Sequence, residues 1–313
     1  MLSLLIGVSG HRHHQRQVDA AMAQSMPNPA SQSPGSLAFQ PSPLSPQGAS
    51  LDPASLDTAS IQYSTHELDQ ATAHIVTIPA RYNVAVAIVP GLDPVAAIAQ
   101  QAGAAVAINA GFFDPQNDQT TSHVVIDGEV AADPRDNERL MDNPDLAPYL
   151  DQILNRSEFR RYRCGSEGAT QYAIVAHDAS VPNDCQLVDA VGGGPQLLPN
   201  LTATEEGFVA TEDGIRIRDA IGADQPNARS AVGLTAAGEI LFVAVAQRPD
   251  VSGSGLSLIE LANLMRSLGA ETALNLDGGS STTLYYRGQT YLGRWVEGEP
   301  VERSVKTVLM VAP

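Results

Sequence analysis

Two short apolar runs, each halted by a polar, glycine-containing loop, constrain this chain more than any other feature. The first is AVAIN at residues 105–109, which runs into AGFFD at 110–114. The second is TALNL at 272–276, which runs into DGGSST at 277–282. An unbroken apolar run of this length fits a strand buried on both faces. Its polar continuation then leaves the sheet at a defined rim, held by a rigid scaffold. Asn109 can donate and accept at once, to a sugar hydroxyl or to brace neighbouring loops. Gly111 permits backbone angles closed to other residues. Extended backbone there would send Phe112 and Phe113 to opposite sides, one into the core and one toward the loop. In the second loop Gly278 and Gly279 can aim N–H groups into an anion-binding nest. Asp277 stands at its entrance, and the hydroxyls of Ser280, Ser281 and Thr282 follow. The competing reading of either loop is structural, an Asx-type turn capping the next element.

The surrounding sequence is strand-rich. Residues 74–78 and 82–89 are rich in β-branched side chains, and residues 228–234 and 240–246 read as a strand pair. Asp127-Gly128 and Arg287-Gly288 mark hairpin turns, and residues 304–311 form a closing strand. Asp93 is placed to cap a short helix with Pro94 in its first turn and Gly103 past its end. Ser257 is placed to cap a second helix, over which Leu258, Leu261, Ala262, Met265 and Leu268 follow helical spacing. These features predict an α+β fold with a mixed β-sheet core and few helices, a single domain over residues 61–313. Residues 132–187 are expected to cover it as an insertion. Residues 1–60 are rich in Pro, Ser and Gln and lack the bulky apolar side chains that would offset ordering entropy. They read as a disordered leader. Its apolar first ten residues fit the core of a secretion signal, with Ala21 and Ala23 as a cleavage site, against the alternative of a plain terminus. His11, His13 and His14 there could hold a metal but read as incidental.

Charge narrows the partners. The formal net charge is −17, and residues 1–60 contribute only two arginines and three aspartates, so −16 belongs to the remainder. A surface this acidic repels phosphate backbones and anionic membranes, which argues against nucleic-acid binding. No stretch reaches the length of a transmembrane segment. The chain has two cysteines, Cys164 and Cys185, too few for a zinc site. They flank a strand-like segment at residues 172–176 and read as a disulfide, which requires an oxidising compartment; two free thiols are the alternative.

Four blocks in order then carry a resemblance: INAGFFD at 108–114, GGP at 193–195, ARSAVG at 228–233 and LNLDGGSST at 274–282. Together they resemble the phosphodiester glycosidase domain family, over a span from Val84 to Val311. Ser280 departs from the pattern, since many relatives carry a third glycine there. The resemblance implies hydrolysis of a sugar–O–phosphate bond at the anomeric carbon, in an extracytoplasmic setting. Phosphate is already a good leaving group, so the reaction needs an anion clamp and a carboxylate to activate water or attack the carbon. On this reading Asp277 is the catalytic carboxylate, Asp114 a second carboxylate or metal ligand, and Arg229 the phosphate clamp. Gly193 and Gly194 would let backbone approach the ligand, unless they serve only a tight turn. His123 lies close enough in sequence to reach the site as a proton carrier, or else is a satisfied strand-end histidine. The oxygen-rich loops could take a divalent cation, with calcium the first candidate, although no calcium-loop spacing is present. The expected partner is a phosphate-linked saccharide of the envelope or an exopolysaccharide. The alternative is a non-catalytic carbohydrate-binding or exopolysaccharide-assembly protein on the same scaffold. Aromatic residues make up only 5% of the chain, with one Trp, which disfavours a broad sugar-stacking platform.

Overall fold

The computed structural model describes residues 61–311. The expected leader, its signal-like start and His11, His13 and His14 lie outside the described residues. From Ile61 onward the chain is strand-rich with few helices, the α+β class read from the sequence. A six-stranded sheet runs in the order Gln62–Leu68, Ala71–Ile78, Ile240–Gln247, Arg229–Thr235, Ala270–Asn275 and Gln196–Leu198. A second sheet runs Gln289–Leu292, Thr283–Tyr286, Val106–Asn109, Val305–Val311 and Val84–Asp93. A third runs Ala169–Ala176, Ser157–Cys164, Cys185–Gly192, Val124–Ile126 and Glu129–Ala132. Pairing within all three is antiparallel.

The period of two along each strand decides what each face buries. In Ile240–Gln247, Ile240, Phe242 and Ala244 join one apolar cluster, while Leu241, Val243 and Val245 join another. The run is unbroken because both faces are covered. The first cluster is shared by all three sheets, with Ile108 and Leu309 from the second and Phe159 and Val191 from the third. The reverse face of the six-stranded sheet is closed by the helix Leu258–Ser267, through Leu258, Leu261 and Met265. The reverse face of the second sheet is closed by the helix Val95–Gln101, through Val95, Ile98 and Ala99. Helix, sheet, sheet and helix thus stack in order, and the third sheet packs on the same central core.

The local signals act mostly as expected. Ser257 and Glu260 form a reciprocal capping box. Asp127 and Gly128 both take positive φ (51° and 83°), as do Arg287 and Gly288 (47° and 88°), the geometry of tight hairpins. Asp93 does not cap its helix. It is the last residue of a strand, held in register with Val305, and Pro94 takes the capping position without a side-chain bond.

Within the expected covering segment, residues 157–164 and 169–176 form regular paired strands. Their buried charges are matched: Arg160 Nε lies 2.8 Å from Glu158 Oε2, and Arg161 Nη2 lies 2.6 Å from Asp189 Oδ2. Pairing is what lets such groups leave water. Cys164 and Cys185 sit opposite each other on adjacent strands and are disulfide-bonded.

One side chain ties the sheets together where strands end. Asn109 closes its strand in the second sheet and is fully buried. Its Nδ2 donates to Asp277 O at 2.6 Å, and its Oδ1 accepts from Ser230 Oγ at 2.7 Å and from Thr283 N at 3.0 Å. Asn109→Ala would leave all three partners unmatched in the interior. A loss of about 3 kcal/mol is expected, read as a lower denaturant midpoint. The cysteine pair bridges a sequence separation of 21 residues, so replacing both with Ala should remove about 3 kcal/mol through the freed loop. Midpoints equal to wild type would contradict either expectation.

Candidate active site

The four sequence blocks converge on the exit of strand Ala270–Asn275. Asp277 N donates to Ala110 O at 2.9 Å, and Leu276 N to Ser230 O at 2.8 Å. Gly279 N donates to Ala228 O at 2.8 Å. Asn275 and Gly194 exchange two bonds of 2.8 Å, Gly194 N to Asn275 O and Asn275 Nδ2 to Gly194 O.

Asp277 emerges from this knot partly accessible, yet densely surrounded by protein. Burial pushes its carboxyl up to about 6, against the opposing pull of Ser281, Arg303 and the Gly278 N–H. Ser281 Oγ makes no hydrogen bond of ordinary geometry, so its influence is that of a nearby dipole. The other carboxylates with displaced pKa values, Asp133, Glu158, Asp250 and Glu260, are all displaced downward. A carboxyl that changes protonation near pH 6 can take or give a proton close to neutrality.

The loop beyond Asp277 is tighter than an open row of donors. Gly279 takes φ of 61° and opens a single 3₁₀ turn, Gly279–Ser281. The N–H groups of Asp277, Gly279, Ser281 and Thr282 are taken by the carbonyls of Ala110, Ala228, Gly278 and Gly279. The Gly278 N–H is turned to the Asp277 carboxylate. Ser280 N–H is left without an acceptor among the described residues. Ser281 and Thr282 are fully buried and form the floor of the loop, whereas Gly278, Gly279 and Ser280 are partly accessible.

Several expected site residues serve the scaffold instead. Arg229 is 2% exposed, and its guanidinium donates to four backbone carbonyls, Leu256, Ile221, Gly222 and Gln225, at 2.6–3.0 Å. One Nη1 hydrogen remains of its five donors, so it braces the 221–225 loop and is not a free anion clamp. Burial lowers its pKa to about 10. Asp114 has both oxygens engaged, Oδ1 by Gln116 N at 2.8 Å and Oδ2 by Arg139 Nε at 2.8 Å. Asp114 is therefore held in an ion pair with Arg139 rather than standing as a lone carboxylate. Gly111, Gly193 and Gly194 are buried, and what approaches them is protein. A Cβ would stand 2.9 Å from Gly192 O at Gly111, 2.8 Å from Asn275 O at Gly193, and 2.4 Å from Glu206 Oε2 at Gly194. Phe112 leans on Phe208 in the core, with ring centroids 5.7 Å apart. His123 is buried behind Gly192, stacked on His177 at 3.6 Å with Nε2 at 3.1 Å from Leu154 O; burial, with His177 beside it, lowers its pKa. Among the described residues no three His, Cys, Asp or Glu side chains gather as metal ligands.

Two arginines absent from the expected set stand beside the loop. Arg303 Nη1 donates to Ser280 Oγ at 3.3 Å, its guanidinium lies 5.0 Å over the Phe113 ring, and its charge acts on Asp277. Arg294 makes one long bond of 3.4 Å to Asn227 Oδ1, and Asn227 lies against Gly279. Among the described residues neither has a carboxylate within ion-pair distance. Arg294 opens the hairpin formed by Arg294–Val296 and Glu299–Val301, and Arg303 follows it. No periodicity or motif marks them in the sequence; only the fold brings them to the loop.

Comparison with known proteins fits this geometry. The fold matches the zebrafish N-acetylglucosamine-1-phosphodiester alpha-N-acetylglucosaminidase catalytic domain auto-inhibited by its pro-peptide, with a TM-score of 0.57 and 20% identity over 81% of this chain and 82% of that one. A hypothetical protein from Synechocystis matches with a TM-score of 0.53 and 21% identity, over 80% of this chain and 61% of that one. A Burkholderia pseudomallei protein assigned as exported matches with a TM-score of 0.56 and 16% identity, over 78% and 74%. At these identities the likeness is one of fold. No curated protein matches the chain. The family model for phosphodiester glycosidase matches residues 102–312, about two thirds of the sequence and all four blocks, so the chain belongs to the phosphodiester glycosidase family.

Proposed function

We propose that this chain hydrolyses the bond between an anomeric carbon and a phosphodiester oxygen in a phosphate-linked saccharide. The observation that carries this reading is the placement beside one loop of Asp277, whose carboxyl burial pushes up to about 6, and Arg303, a guanidinium with no ion-pair partner among the described residues. Family membership supports the reaction class. In the proposed reaction the phosphoryl oxygens lie against Arg303, Ser280 N–H and Arg294, where charge-assisted hydrogen bonds favour an anion. The bond from the anomeric carbon to oxygen breaks, and its electron pair leaves with the phosphate. Asp277 in its ionised form draws the proton from the water that adds to the carbon, or attacks the carbon itself to form a glycosyl ester that water then cleaves, releasing the sugar and restoring the carboxylate. Arg303 thereby takes the role first expected of Arg229. Two observations support an extracytoplasmic location: the disulfide, a bond that persists in oxidising compartments, and a Burkholderia fold relative assigned as exported. Among the described residues no helix is long and apolar enough to cross a membrane.

The test is turnover of sugar-1-phosphodiesters. Asp277→Asn is expected to lower kcat by about a thousandfold; turnover equal to wild type would remove Asp277 from the mechanism. Saccharide binding without turnover by the wild type would favour a non-catalytic role. Arg303→Ala should raise KM at least about tenfold, with wild-type values arguing against the clamp. Asp277 also links stability to pH. Its folded pKa of about 6 lies above the ordinary 3.8, so its stabilising contribution is fully present below the lower value and lost as pH rises through the upper. Asp277→Asn should therefore raise the Tm at pH 7.5, with the gain shrinking toward pH 4. A gain that grew on acidification would contradict the raised pKa.

A further inference from the structure

A cavity of about 530 Å³ lies next to the candidate site without including it. Leu292 and Trp295, on either side of Gly293 and Arg294, form part of its wall. Gly293 N donates to Thr282 O at 2.8 Å, and Gly293 O accepts from Gln247 N at 2.8 Å. A Cβ on Gly293 would stand 2.3 Å from Thr282 Cγ2, so this backbone lies directly on the loop after Asp277. Since Gln247 lines the cavity, a single backbone segment separates the two places.

The lining combines ring faces with hydroxyl acceptors. Tyr291 stacks on His74 with centroids 4.6 Å apart and on Tyr63 at 4.9 Å, and Tyr63 stacks on Tyr286 at 5.3 Å. Trp295, the one tryptophan of the chain, lines the same space. The low overall aromatic content therefore does not describe this region, where the rings are concentrated. On the polar side, Thr72 donates to Glu67 at 3.0 Å, and Arg248 is neutralised by Asp250 at 3.1 Å. The lining thus holds two carboxylates, Glu67 and Asp250, against one guanidinium, Arg248, a net single negative charge. Burial lowers the pKa of His74, which disfavours a positive charge there. An anion meets net repulsion here, while a hydroxyl-bearing ligand meets acceptors. The volume falls within the range of about 300–1,000 Å³ usual for small-molecule sites.

We propose that this cavity binds an uncharged saccharide unit, with its ring face on Tyr291 and Trp295 and its hydroxyls on Glu67 and Gln247. The binding stands apart from catalysis. Its use for a sugar remote from the scissile bond rests on the hydrolytic reading above.

Trp295 supplies the readout, because its emission reports this cavity without a label. The full chain is titrated with glucose, galactose, N-acetylglucosamine, rhamnose, maltose and cellobiose. The expected result is a saturable change in emission for at least one sugar, weakened at least fivefold in Glu67→Gln and in Tyr291→Ala, and retained in Asp277→Asn. Glu67 is exposed, so Glu67→Gln tests the site even if Tyr291→Ala fails to fold. No saturable response to any of these sugars overturns the proposal, as does a response that survives Glu67→Gln undiminished. Binding of glucose 1-phosphate that is tighter than that of glucose and is undiminished in Arg303→Ala overturns the uncharged class. Loss of binding in Asp277→Asn would place the ligand at the candidate active site instead.

Discussion

The placement of Asp277 depends on the side-chain amide of Asn109. Hydrophobic burial supplies most of the driving force for stacking these sheets, but it has no direction. The Asn109 amide has direction: it binds the backbone beyond Leu276, the hydroxyl of Ser230 and the amide of Thr283 at once. Those partners belong to the other sheet and to the strand after the candidate loop. A residue with only donors or only acceptors could not satisfy all three. In a low-dielectric setting such a network holds one arrangement, since any slip leaves an unmatched polar group.

Two buried charges at this rim are handled differently, and the difference separates scaffold from candidate chemistry. Arg229 is surrounded by carbonyl oxygens, which solvate its charge and stop the 221–225 loop from moving. Its donors are spent on protein. Asp277 has less help: one N–H, a nearby hydroxyl dipole and the charge of Arg303 oppose its burial without overcoming it. An ionised carboxylate there is left under-solvated. That instability of the charged form is what gives a carboxylate affinity for a proton near neutrality.

Much of the architecture was legible because burial writes itself into composition. The strands Val106–Asn109 and Ile240–Gln247 are apolar on both faces and cannot be mistaken for surface. The Asp-Gly and Arg-Gly turns declare themselves through backbone angles that few residues adopt. The strands at residues 157–176 were harder to read, since their buried faces carry paired charges that look like a solvated cover. The helix cap at Asp93 was misread because a long-range strand pairing outcompeted a local preference. At the candidate site, Asp277 was legible through its glycine neighbours. Its partners were not, since Arg294 and Arg303 come from irregular links whose position is set by tertiary packing.

The hairpin from Arg294 to Val301 holds a further consequence. It carries Arg294 toward the anion side and Trp295 toward the cavity, with Arg303 just beyond it, yet it pairs only with itself. The motif residues, by contrast, are largely interior and hold strands in register. A chain could exchange this hairpin, residues 294–301, for another and keep every signature block intact. Shared blocks would then report common ancestry of the frame, while the choice of sugar and of anion drifts independently on a replaceable tip.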